Sequence, residues 1–275
     1  MTTGVSVVVC ALLALQVGVS VAADQAAAVA AAAPSEESVR ARQVLDAMAQ
    51  YLSSADEFSV ELLAGYEVVQ ESGQKIEFGE RRDVSVSRPD KLKIETVRSD
   101  GSENLTLFDS KQITLYDADT NVYATAPQTA GIDESVIRFV RDLRMRLPLA
   151  PLVMKTLPAE LARRVQSIDY VETTGLYGEP THHIAGRTAT VDFEMWITDG
   201  KKPLLRRVAL TYREAEGHPR FWADFSDWDL DPDFRKSAFS FAPPSGAKSM
   251  PFAMELIRLA GAAAAAKAPA AGEAR

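Results

Sequence analysis

A chain of 275 residues with 47% hydrophobic residues is long enough for one large domain, or two small ones, with a sizeable core. Its formal net charge of −8 argues against nucleic acid and anionic lipid surfaces as partners. A single cysteine, Cys10, excludes a disulfide framework and Cys-based zinc sites.

Residues 1–23 carry no charged side chain, and Val5–Ala22 is nearly all apolar. Ser20-Val21-Ala22-Ala23 ahead of Asp24 is a small-residue pattern suited to cleavage, so 1–23 is read as a signal peptide removed after about Ala23. Retention of residues 5–22 as an anchor is the alternative, since the run is about long enough to span a bilayer. Removal takes Cys10 with it and leaves no thiol for catalysis. Residues 24–37 form an Ala-rich spacer, and 251–275 form an Ala-rich, low-complexity tail predicted to be disordered.

Ser35-Glu36-Glu37-Ser38 opens a helix, with a cap residue and acids at the positive end of its dipole. Val44, Leu45, Met48, Tyr51 and Leu52 then recur at three- and four-residue steps on one face. From Phe58 the period falls to two: Phe58, Val60, Leu62, Ala64, Tyr66 and Val68 alternate with polar neighbours. After a turn at Gly73, the positions Ile76, Phe78, Val84 and Val86 predict one long strand. Breaks at Arg88-Pro89-Asp90 and Asp100-Gly101 set off Leu92–Val97 and Asn104–Asp109. Ile113–Tyr116 and Val122–Ala124 complete a six-stranded antiparallel meander.

A helical island follows. Ile132, Val136, Phe139, Val140 and Leu143 share a face, and Arg138, Arg141, Arg144 and Arg146 recur at roughly helical spacing. Pro148, Pro151 and Pro158 cut the remainder into short pieces, Leu149–Leu157 and Ala159–Val165. The sheet resumes at Ser167–Thr173 and Thr181–Arg187. A hairpin comes next, with Val191, Phe193, Met195 and Ile197 on one face, a turn at Asp199-Gly200, and Leu204, Val208, Leu210 and Tyr212 on one face of the return strand. Arg220–Leu230 is the last long strand. The predicted fold is mainly β with helices (α+β), one antiparallel sheet of about ten or eleven strands. So large a sheet hides its apolar face by curling into a half-barrel, closed by the N-terminal helix and the central helices.

Four stretches carry a resemblance: Arg88–Glu95 (RPDKLKIE), Phe108–Pro127, Val191–Tyr212 and Phe239–Lys248. In that order and spacing they resemble the predicted periplasmic proteins grouped as domain of unknown function twenty ninety-two, over about residues 38–250. Members often read Trp-Gln-Ile-Trp where this chain has Phe193-Glu194-Met195-Trp196. That family is similar in fold to the lipoprotein carriers LolA and LolB, a curved, half-open sheet closed by helices over a hydrophobic cavity. The resemblance implies a ligand-holding periplasmic domain over 38–250 and carries over no assigned site residue.

Candidate chemistry is sparse. His182 and His183 are adjacent on a strand and face opposite ways, and His218 precedes a turn proline, so no metal site is expected. Asp227, Asp229, Asp231 and Asp233 alternate, but Pro232 and Ala238 hold the places where a calcium loop needs glycine and an acid. No nucleophile elbow, phosphate-cradling loop or zinc-protease helix occurs. Arg138, Arg141 and Arg144 are read as a solvated face, with a head-group contact at a cavity mouth as the alternative. Arg82 and Glu80 fall on the same face as Ile76, Phe78 and Val84. A bulge near Gly79 is the preferred explanation; a Glu80–Arg82 pair inside the hollow, with Arg82 as a polar cavity contact, is the sharper one. Phe78, Leu92, Ile94, Phe193, Met195, Phe221 and Phe225 are the expected hydrophobic lining. The expectation is a non-catalytic, cofactor-free periplasmic carrier or binding protein. Its partners would be a hydrophobic ligand, such as a lipid or acylated lipoprotein, and an envelope protein, not nucleic acid. The Pro-punctuated central pieces would act as its lid. The rival is a structural or interaction module whose hollow is filled by its own side chains; a hydrolase without a recognisable motif is a third reading.

Overall fold

The computed structural model describes residues 34–128, 130–145 and 147–253. The expected signal peptide, the spacer to residue 33, Arg146 and the tail beyond 253 lie outside the described residues. The first element, α1 (Glu36–Ser54), starts where expected: the Ser35 hydroxyl accepts the Ser38 backbone N–H at 3.0 Å. Its buried face is Ala41, Leu45, Met48, Ala49 and Leu52.

The predicted meander is present as β1 (Glu57–Val69), β2 (Lys75–Ser87), β3 (Lys91–Arg98), β4 (Glu103–Asp109), β5 (Gln112–Asp117) and β6 (Val122–Pro127). The helical island comprises α2 (Ile132–Ile137), a π-turn (Arg138–Asp142), a 3-10 turn (Ala150–Val153) and α3 (Leu157–Arg164). Then come β7 (Ser167–Thr174), β8 (Thr181–Arg187), β9 (Val191–Thr198), β10 (Leu205–Tyr212), β11 (Arg220–Asp229) and β12 (Lys248–Ser249). The twelfth strand raises the expected count. It is only two residues long and pairs parallel to β6, so no alternation marks it.

Among the described residues, all twelve strands form one open, curved sheet in the order β12-β6-β5-β4-β3-β2-β1-β11-β10-β9-β8-β7. The two meanders meet where β1 pairs with β11. The 128–166 connection therefore starts beside one edge of the sheet and ends at the other. A chain that must cross the whole width can do so over the apolar face and cover it, which is what the helical island does together with α1. Ile132, Val136, Phe139, Leu143, Leu152, Val153 and Leu157 enter the same core as the inward residues of the strands. That core continues to Phe252, 3% exposed and just past the expected boundary at 250.

Two expectations about strand faces are corrected. In β10, a bulge between Leu205 and Arg207 resets the alternation, so Leu205 rather than Leu204 shares the buried face with Val208. In β2, the preferred bulge near Gly79 is absent: pairing with β1 runs without a break from Glu57↔Ser87 to Val69↔Lys75. Glu80 and Arg82 therefore do project from the concave face.

Candidate functional site

Strict alternation along β1 and β2 places Phe58, Val60, Leu62, Ala64, Tyr66 and Val68 beside Val86, Val84, Arg82, Glu80, Phe78 and Ile76, in register, on the concave face. This double row has three zones. At one end the helical cover lies over it, enclosing an apolar chamber of about 40 Å³. The sheet side of the chamber is Phe58, Val60, Leu62, Arg82, Val84, Ile94, Phe225 and Trp228; the cover side is Leu147, Pro148, Leu149, Ala150, Leu152 and Val153. Trp228 stacks on Phe225 at 5.8 Å and donates its indole N–H to the Leu205 carbonyl at 2.9 Å, which fixes that wall.

In the middle zone stand Glu80 and Arg82. Their side chains are 6% and 13% exposed and form an ion pair, Arg82 Nη2 to Glu80 Oε1. Arg82 lies opposite Leu62 on one side and Thr96 on the other, and Arg98 lies opposite Glu80. The buried Nε of Arg82 has no hydrogen-bond partner. At the far end the cover stops. Phe78, Ile76 and Val68 are each 39% exposed, and Phe78 stacks on Tyr66 at 5.9 Å. That zone is an uncovered apolar shelf continuous with the double row.

Polar fastenings hold the cover down. Both Asp133 carboxylate oxygens, at the start of α2, accept from the far end of the loop: the Lys155 N–H at 2.8 Å, the Thr156 N–H at 2.9 Å and the Thr156 hydroxyl at 2.6 Å. Arg88 donates to the Val153 carbonyl at 3.2 Å and to the Ala55 carbonyl, and its guanidinium lies 5.3 Å from the Phe58 ring. Burial lowers the Arg88 pKa, opposed by the charges of Asp133 and Asp56. Between these fastenings the loop carries Leu149 with positive φ and the 3-10 turn.

Of the expected lining, Ile94 and Phe225 reach the chamber, as does Arg82. Leu92, Phe193, Met195 and Phe221 are buried elsewhere in the core, and Phe78 lies on the open shelf. Phe193 fits because Gly186 faces it: a Cβ there would come within 2.4 Å of the Phe193 ring and 2.8 Å of the Ser167 carbonyl. The chamber residues outside that expected lining are Phe58, Val60, Leu62 and Val84, which the alternation contained, and Trp228; the cover-side residues come from the Pro-punctuated pieces read as a lid. Arg141 and Arg144 are exposed as read, and Arg138 donates to the Pro127 carbonyl.

The two strand histidines do diverge. His182 bridges the Tyr170 hydroxyl at 2.8 Å and Asp199 at 3.1 Å, while His183 stacks on Trp196 at 4.1 Å. Among the described residues no group of three or more His, Cys, Asp or Glu side chains is placed to hold a metal ion.

A family profile described as "Predicted periplasmic protein (DUF2092)" matches residues 41–253. No curated protein matches in sequence. Among solved structures, the chain is similar to an uncharacterized conserved protein from Thermus thermophilus, with 12% identity over 77% of this chain and 99% of that one, TM-score 0.46. It is also similar to the lipoprotein LppX of Mycobacterium tuberculosis, at 13% identity, 70% and 97% coverage and TM-score 0.44. A LolA superfamily protein from Nitrosomonas europaea matches at 9% identity, 73% and 97% coverage and TM-score 0.33.

Proposed function

This chain belongs to the family of predicted periplasmic proteins (DUF2092), and on that premise we propose that it is a non-catalytic binding or carrier protein for a hydrophobic ligand. A lipid or a lipoprotein acyl chain is the ligand class. The observation that carries this is the double row on β1 and β2, which runs from an open apolar shelf to a chamber roofed by an irregular segment. At about 40 Å³ the chamber is far smaller than the roughly 150 Å³ that admits a benzene molecule. A guest therefore enters by displacing Leu147, Leu149, Leu152 and Val153 rather than by filling a void.

The magnitudes favour such an exchange. A twelve-carbon chain leaving water gains about 10 kcal/mol at ~0.8 kcal/mol per methylene. Re-exposing those four cover side chains, two of them only half-buried, costs on the order of 6 kcal/mol. The small chamber is also the observation that favours the second reading, an envelope structural or interaction module with a filled core and no ligand. Titration of the purified protein with a dansyl-labelled undecanoic acid separates them. Saturable, blue-shifted fluorescence at one site per chain supports the carrier; a linear, non-saturating response refutes it.

A further inference from the structure

The apolar row explains how a hydrophobic chain is held, but not why a salt bridge sits in its path. Nothing in the fold requires the pair. On the β1 side its neighbours on the concave face, Leu62, Ala64 and Tyr66, offer it no charged partner, nor does Phe78 on its own strand; on the β3 side it faces Thr96 and Arg98, and the β1–β2 register passes through without a bulge. Arg82 lines the chamber, its Nε is buried without a partner, and its guanidinium is engaged by a single carboxylate from its own strand, two residues away. A guanidinium presents five N–H donors in a fork matched to a carboxylate, and here that fork is incompletely used.

We propose that Arg82 is the head-group site of an amphipathic ligand, and that the ligand is a long-chain carboxylate. The inference rests on the hydrophobic-ligand reading above and adds the polar half of the molecule. In the unliganded protein, Glu80 is the stand-in: a buried carboxylate on Arg82, occupying the place that the ligand's own carboxylate takes. The exchange makes and breaks no covalent bond. The ligand carboxylate displaces Glu80 from the guanidinium, and Glu80, opposite Arg98 in register, turns toward that second guanidinium. The tail then follows the row in either of its two apolar directions, under the cover toward Val60 and Val84 or along the shelf toward Phe78. A neutral amphipath of equal chain length would leave Arg82 with Glu80 and gain nothing from its head.

The test compares dodecanoate, dodecanol and dodecylamine as displacers of the dansyl-labelled probe from the full-length protein, all below their aggregation concentrations. Dodecanoate is expected to bind about tenfold or more tightly than dodecanol, with dodecylamine weakest, as befits a charge-assisted hydrogen bond. Glu80→Gln removes the internal competitor. It should tighten dodecanoate several-fold, leave dodecanol unchanged, and melt at a temperature that dodecanoate raises more than an equal concentration of dodecanol does. The double variant Glu80→Gln/Arg82→Gln keeps a neutral hydrogen-bonding pair, so that it folds, and should bind dodecanoate no better than dodecanol. Equal binding of all three amphipaths in the wild type and both variants would overturn the head-group assignment and leave the hydrophobic-ligand reading standing. Folded protein that binds none of the three would overturn both.

Discussion

Removing one member of the Glu80–Arg82 pair should cost far more than removing both. With side chains 6% and 13% exposed, the two groups have surrendered most of their hydration, and each depends on the other for compensation. Glu80→Leu leaves a buried guanidinium with only the solvent it can reach and is expected to lose about 3–5 kcal/mol; Arg82→Met leaves Glu80 only Arg98 to turn toward and should fall at the lower end of that range. For a body of this size, 2–4 °C per kcal/mol translates that into a melting temperature lower by roughly 6–20 °C. The double variant Glu80→Leu/Arg82→Met fills the same row with apolar atoms beside Leu62 and Ala64 and should return to within about 1 kcal/mol of wild type, or exceed it. Urea unfolding of the four proteins, with slopes compared to confirm two-state behaviour, gives the coupling energy directly. Single variants that each lose less than about 1 kcal/mol would mean the pair is effectively solvated. A double variant as unstable as the sum of the singles would mean the pair is needed structurally, and would remove the reason for assigning it to a ligand.

Other consequences follow from single contacts. Gly186→Ala forces a methyl group against the Phe193 ring and the Ser167 carbonyl and should cost about 1–3 kcal/mol, with Phe193→Leu restoring part of it in a double variant. Asp133→Ala deletes the three hydrogen bonds that close the cover loop; limited proteolysis should then cut within residues 143–156 much faster than in wild type, while the thermal transition of the sheet moves little. The Thr120 backbone N–H and hydroxyl hold the Asp117 pKa below the ordinary carboxylate range, so protons bind the unfolded chain first. The stability this turn contributes is complete above about pH 4 and is lost as pH falls through the lowered folded value; Asp117→Asn should flatten that part of an acid-unfolding curve.

Period-two alternation was enough to assign the concave face along β1 and β9, because each is regular and half-buried. It failed where the backbone slipped or the cover intervened. The β10 bulge moved Leu205 inward, and a bulge invoked to expel Arg82 does not exist. Hydrophobic pattern says which face a residue occupies, not what lies over it. Phe78 and Phe193 read alike in sequence, yet one is 39% exposed and the other 5%. The difference is α1 and the helical island, whose reach depends on strand order. Asp133 was invisible for the same reason: its partners are 22 and 23 residues away, and no local motif marks a carboxylate that closes so long a loop.

Strand order also bears on how the hollow can open. The covering connection is tied to opposite sides of the sheet, at β6 beside the edge strand β12 at its start and at β7 at its end, so it cannot lift as a hinged flap without unzipping an edge. Asp133, however, joins the start of α2 to the start of α3, which turns residues 134–154 into a loop closed at its base by its own polar contacts. Its tip, Leu147 to Ala150, is half-buried rather than buried and lines the chamber beside the buried Leu152 and Val153. Displacing the tip breaks no strand pairing and leaves α2, α3 and their buried faces in place. The apolar residues it uncovers are those a guest chain would cover again, so opening and loading are one exchange of apolar contacts. The resting volume of the chamber measures how well the tip fits, and sets no limit on what can replace it.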